Sequence, residues 1–136
     1  MEIEEALRFV RENRRAVLAT RRADGRPQMS PVVAAVDSAG KIIISTRETA
    51  IKTRNLRRDP HASLCVMNDG FFGPWVQLDG VTEIVPLPEA MEGLVDYYRA
   101  VAGEHPEWDD YRQAMERERR VLLRLTVERA GPDRSG

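Results

Sequence analysis

Lysine is nearly missing from this chain: of its 21 basic residues only Lys41 and Lys52 are lysines, which makes each of the two worth placing. Cysteine occurs once, at Cys65, so no internal disulfide can form and a reducing, cytoplasmic compartment is expected. Long hydrophobic runs are absent. No stretch approaches the roughly 20 apolar residues of a membrane helix, and residues 1–10 alternate acids with apolar side chains instead of following a signal-peptide pattern, so no membrane partner is expected. An excess of either charge is lacking too: 21 basic against 22 acidic residues leave a formal charge of -1. That balance, with aromatics not interleaved among basic strands, argues against a nucleic-acid partner. Histidine appears only as His61 and His105, without HExxH or CxxC spacing, so no metal site is expected. Ser30 and Ser45 sit in no Gly-x-Ser-x-Gly elbow, which disfavours hydrolase chemistry.

What is present is a 136-residue chain with 42% hydrophobic residues, enough for one core. A single domain is expected over residues 1–130, with 131–136 as a frayed tail. Ile3, Ala6, Leu7 and Val10 recur at helical spacing. Residues 15–20 read as a strand, the Asp24-Gly25 turn leads to a second at 29–36, and a turn around Gly40 leads to a third at 41–45. Thr49 is placed to cap a short helix to Arg58, which Asp59-Pro60 ends. Strands at 61–67 and 75–85 follow. A helix beginning at Pro88, another capped by Asp109 or Asp110 and running through Arg119, and a strand at 121–127 complete the chain. The expected fold class is α+β: a six-stranded antiparallel split β-barrel with flanking helices, forming a homodimer.

Lys52 falls in the first turn of the short helix, where the positive end of the helix dipole disfavours a cation by a few tenths to about 1 kcal/mol. A phosphate held by helix amides, by Ser45 and Thr46 and by Lys52 and Arg54 would compensate. A solvated basic helix helped by Glu48 is the competing reading, and composition alone leaves both open.

Four segments carry a resemblance to a known family: Val17-Leu18-Ala19-Thr20; Asp24-Gly25-Arg26-Pro27-Gln28; Ser30-Pro31-Val32; and Lys52-Thr53-Arg54-Asn55-Leu56-Arg57-Arg58-Asp59-Pro60. Their order and spacing resemble the pyridoxamine-phosphate-oxidase-like split barrels. Residues 98–122 are similar to the branch of that family that uses the deazaflavin coenzyme F420. The resemblance implies a homodimer with cofactors in clefts between the barrels. It implies that Ser45, Thr46, Lys52 and Arg54 hold the phosphate, beside Ile51. It also implies that Gln28, Ser30, Pro31 and Val32 face the ring system, and that the loop before Trp75 reaches the partner's site. Trp75 is counted with the cofactor residues because it borders the aromatic loop. The implied activity is hydride transfer from F420 to a conjugated small-molecule acceptor of the quinone, enone or tetrapyrrole type. The alternatives are an FMN enzyme of the same fold and a non-catalytic flavin, deazaflavin or haem carrier. No side chain is assigned as catalytic.

Overall fold

The computed structural model describes residues 1–70 and 72–132; Phe71 and the expected tail from 133 onward lie outside the described residues. Among the described residues seven strands and four helices follow one another as α1 (Ile3–Glu12), β1 (Arg15–Arg21), β2 (Pro27–Val33), β3 (Ala35–Val36), β4 (Ile42–Arg47), α2 (Ile51–Arg58), β5 (His61–Met67), β6 (Trp75–Val85), α3 (Met91–Ala102), α4 (Trp108–Arg117) and β7 (Arg120–Gly131). The fold is α+β.

The sheet runs in the order β2-β1-β5-β6-β7-β4-β3, and each pairing is antiparallel. β2 and β3 stand at opposite ends of that order, yet only Ala34 separates them along the chain. The sheet must therefore curl until its two edges nearly meet. This corrects the expected count of six strands: the segment read as one strand at 29–36 breaks at Ala34, whose amide donates to the Arg14 carbonyl. One half of it pairs with β1 and the other with β4.

Curling gives the sheet an inside and an outside. Inside lie Ala16, Leu18, Ile42, Ile44, Leu64, Val66, Val76, Leu78 and Leu123, closed at one end by Ala6, Leu7 and Val10 of α1. Outside, α3 and α4 pack Leu94, Val95, Tyr111 and Met115 on Ile43 and Leu122. Tyr111 donates to the Leu94 carbonyl at 2.8 Å, and burial pushes its phenol up to about 12. The neighbouring outer face, on β2, β1, β5 and β6, has no such cover. Register places Val33, Pro31 and Met29 in line with Arg15, Val17 and Ala19, and the last two of these with Cys65 and Ser63, while Met67 faces Trp75.

Three further expectations shift. Thr49 does not cap α2; the cap position is Ala50, which has no side chain to offer, because the chain leaves β4 through a turn in which Ala50 N–H donates to the Arg47 carbonyl. Pro88 lies in the turn before α3, accepting from Met91 N–H, and Glu107 precedes α4 in place of an aspartate cap. β7 extends to Gly131, which pairs with Gln77, so residue 131 belongs to the sheet.

Asn55 fixes α2 to the barrel. It is buried, its amide donates to Thr20 Oγ1 at 3.1 Å, and its Oδ1 accepts from Arg58 at 3.0 Å, while Arg58 also donates to the Arg21 carbonyl. Asn55→Ala leaves these polar groups without their partner, and is expected to lower stability by about 1–3 kcal/mol. Urea unfolding at unchanged m-value checks it.

Candidate functional site

A cleft of about 540 Å³ opens on the outside of the barrel, with walls of different chemistry. One wall comes from β1, β2 and β5 and presents Val17, Pro31, Val33 and Met67, with Arg15 at its edge. The other comes from β4, α2 and the start of β7 and presents Ser45, Thr46, Lys52 and Arg120. No carboxylate lines the cleft among the described residues.

The polar wall follows from how β4 passes into α2. The Arg47 carbonyl accepts from Ala50 N–H and from Thr53 Oγ1 at 2.8 Å, which turns the chain sharply and aims the start of the helix at the cleft. α2 begins without a side-chain cap and without an acid in its first turn. Its leading amides and its dipole therefore favour an anion. Glu48, the nearest acid in sequence, is turned away from Lys52: it pairs with Arg119 at 2.8 Å and with Arg57 at 3.7 Å. Burial, and then the charge of Arg120, hold the Lys52 ammonium below the ordinary lysine range. An anion entering the cleft offsets both by favouring the charged form of the lysine.

The cleft gathers Pro31, Val32, Ser45, Thr46 and Lys52 of the residues singled out in sequence. The other five lie elsewhere. Gln28 and Ser30 alternate with Pro31 on β2 and point to the core side: Gln28 Oε1 accepts from Thr20 at 3.4 Å, and Ser30 Oγ is buried with no partner among the described residues. Ile51 is 58% exposed, and Arg54 is exposed on α2. Trp75 lines a separate cleft with Gln77, Asp79 and Arg129, although it sits directly across the ladder from Met67. Sequence reasoning gave no site role to Arg120, Arg15, Val33 or Met67, although Arg120 falls within the 98–122 stretch. Only the β4–β7 register, which sets Arg120 opposite Arg47, could have revealed the first of these.

The remaining histidines are engaged otherwise. His61 Nδ1 lies 2.8 Å from Asp59 Oδ1, and that contact holds the Asp59 carboxyl below its usual value. His105 sits among Tyr98, Trp108 and Tyr111 and accepts from Glu107 N–H at 2.9 Å. Among the described residues no group of three or more His, Cys, Asp or Glu side chains is placed to hold a metal ion.

Among solved structures, a conserved hypothetical protein of Mycobacterium tuberculosis superposes with a TM-score of 0.77 at 30% identity, covering 96% of this chain and 82% of that one. An F420 reductase matches with a TM-score of 0.72 at 21% identity over 91% and 94% of the two chains. A FAD-binding protein of Mesorhizobium loti matches at 0.66 and 21% identity over 96% and 92%. The last two show a shared fold. The family model of pyridoxamine 5'-phosphate oxidase matches residues 3–132, nearly the whole of the chain, and the protein belongs to that family.

Proposed function

We propose that the protein is an oxidoreductase that holds the deazaflavin coenzyme F420 in the two-walled cleft and passes hydride from it to a conjugated small molecule. The observation that carries this reading is the cleft itself, with an acid-free wall of Ser45, Thr46, Lys52 and Arg120 facing an apolar wall of Val17, Pro31, Val33 and Met67. The first suits a phosphate and the second the face of a flat ring, so the residues present fit the group. Arg54 and Ile51 stand near the phosphate end on α2, while Gln28 and Ser30 act from behind the ring wall rather than on it. F420 is preferred to FMN because residues 98–122 are similar to the F420-using branch of the family.

When bound, the deazaflavin supplies the two-electron chemistry. The chain supplies position, water exclusion and charge. The apolar outer face favours a homodimer: Met29 is 64% exposed, Val33 41% and Trp75 40%, all on the uncovered strands. A second copy seated there would bury this apolar area, close the cleft and bring its own 68–74 loop and Trp75 to the site.

Fluorescence titration of the purified protein with F420 and with FMN tests the proposal. Saturable F420 binding at micromolar levels, tighter than FMN, is expected. Tighter FMN binding would make this a flavin enzyme. Binding without turnover across quinones, enones and tetrapyrroles would make it a carrier, and no binding of either cofactor would overturn the reading altogether.

A further inference from the structure

Arg120 falls in the 98–122 stretch whose resemblance bears on the choice of cofactor, but nothing in the sequence gives it a role at the cleft; the fold brings it to the polar wall. It opens β7 directly across from Arg47 and lines the same cleft as Ser45, Thr46 and Lys52. Its Nε and Nη2 both donate to one oxygen of Glu118, at 3.0 and 2.8 Å. A guanidinium carries five N–H donors in a rigid plane, so Glu118 fixes one edge and leaves three donors, including both on Nη1, outside that pair. The side chain is 25% exposed, half-sunk but reachable from the cleft.

Its other neighbours are telling. Arg120 and Lys52 line the same cleft, and after burial the charge of Arg120 is the second cause that holds the Lys52 ammonium below the ordinary lysine range. Arg120 also stands by the Tyr97 phenol, which burial pushes up against the opposing pull of Arg120, the Ser45 amide and Arg14. Tyr97 Oη donates to the Val33 carbonyl at 2.8 Å, so the same side chain ties α3 to the opposite wall of the cleft. Glu118 behind Arg120 orients its fork and lies outside the cleft lining.

We infer that Arg120 is a second anion-binding residue, which together with Lys52 clamps a tetrahedral oxyanion rather than a planar carboxylate. The donors arrive from different directions: an ammonium on α2, a guanidinium edge on β7, and the Ser45 hydroxyl on β4. A planar carboxylate has two oxygens in one plane and leaves part of such a set unused, whereas a phosphate accepts on three or four oxygens. The identity of the phosphate carrier rests on the proposed function; the role of Arg120 does not.

The chain has only two lysines, which makes the test direct. In 13C-lysine-labelled protein, with Lys41→Arg assigning the spectrum, Arg120→Gln is expected to return the Lys52 titration toward the ordinary lysine range. The same variant is expected to weaken F420 and FMN roughly tenfold or more, in line with loss of one charge-assisted contact. Riboflavin and the phosphate-free deazaflavin riboside should bind as before, and Arg120→Lys should restore part of the loss. Equal weakening of phosphate-bearing and phosphate-free ligands, or no weakening of either, would overturn the inference. If the unaltered protein bound neither cofactor, the proposed function would fail, and thermal stabilisation by inorganic phosphate would decide Arg120 by itself. Stabilisation lost in Arg120→Gln supports the clamp; stabilisation equal in both proteins, equal for acetate, or absent from both overturns it.

Discussion

Replacing Lys52 by alanine is expected to weaken binding of a phosphate-bearing cofactor about 10–100-fold while leaving the empty protein at least as stable as before. A hydrogen bond to a charged partner contributes about 1.5–3 kcal/mol, and every 1.4 kcal/mol is a factor of ten in affinity. The two halves of the expectation pull in opposite directions because Lys52 is poorly placed in the empty fold. It stands in the first turn of a helix that has no acid there, and it is repelled by Arg120.

The same argument fixes the pH dependence. Folding lowers the Lys52 pKa, so at neutral pH the charged form carries a penalty in the folded state. That penalty is relieved as pH rises through the lowered pKa toward the unfolded value, and stability contributed by this group rises there. A bound phosphate favours the ammonium, so binding takes up a proton and affinity falls as pH rises over the same window. Lys52→Ala should flatten both profiles. Unchanged cofactor affinity in the variant would mean that no anion sits against this wall.

How much of this could be read from the sequence depends on the range of the interactions. Helices α1 and α2, the β1–β2 hairpin and the long β6 follow from local periodicity and from Gly25, Gly40 and Asp59-Pro60, and each appears close to where it is expected. The break at Ala34 was not legible, because it is imposed by the Arg14 carbonyl and by the need of one segment to serve both edges of a curled sheet. Of the residues singled out in sequence, Pro31, Val32, Ser45, Thr46 and Lys52 line one cleft, and they were legible as groups because each pair or triple lies within one short segment. Gln28, Ser30 and Val32 were assigned to the ring with Pro31, but strand alternation sends their side chains to the other side of β2; of the three only Val32 still borders the cleft. Arg120 could not be found locally. It reaches the cleft only because β7 pairs with β4 across more than seventy residues of chain.

Gly80→Ala is expected to have the opposite signature, costing about 3 kcal/mol of stability while leaving the cofactor affinity of the folded fraction intact. Gly80 sits where the β6–β7 register slips, between the pairs Asp79↔Arg129 and Gly80↔Val127, so that Glu128 has no partner across the ladder. The slip draws the two backbones together: a Cβ at Gly80 would run into the Thr126 carbonyl oxygen and press on Leu125. Neither can yield cheaply. β7 is held on both edges, by β6 and by β4, and Leu125 is buried in the barrel. Overpacking of this kind costs about 1–3 kcal/mol where side chains can shift, and the upper end applies where the obstacle is backbone. Arg120 lies six residues from Thr126 along an extended strand, roughly 20 Å away, so the damage is felt in the sheet rather than in the cleft. Urea unfolding and F420 titration of the two variants side by side should give crossed results: affinity lost with stability kept for Lys52→Ala, stability lost with affinity kept for Gly80→Ala. A loss under 1 kcal/mol at Gly80 would mean that the β6–β7 ladder can slide to admit a methyl group, and the slip would then be an accommodation of sequence rather than a close contact that requires glycine.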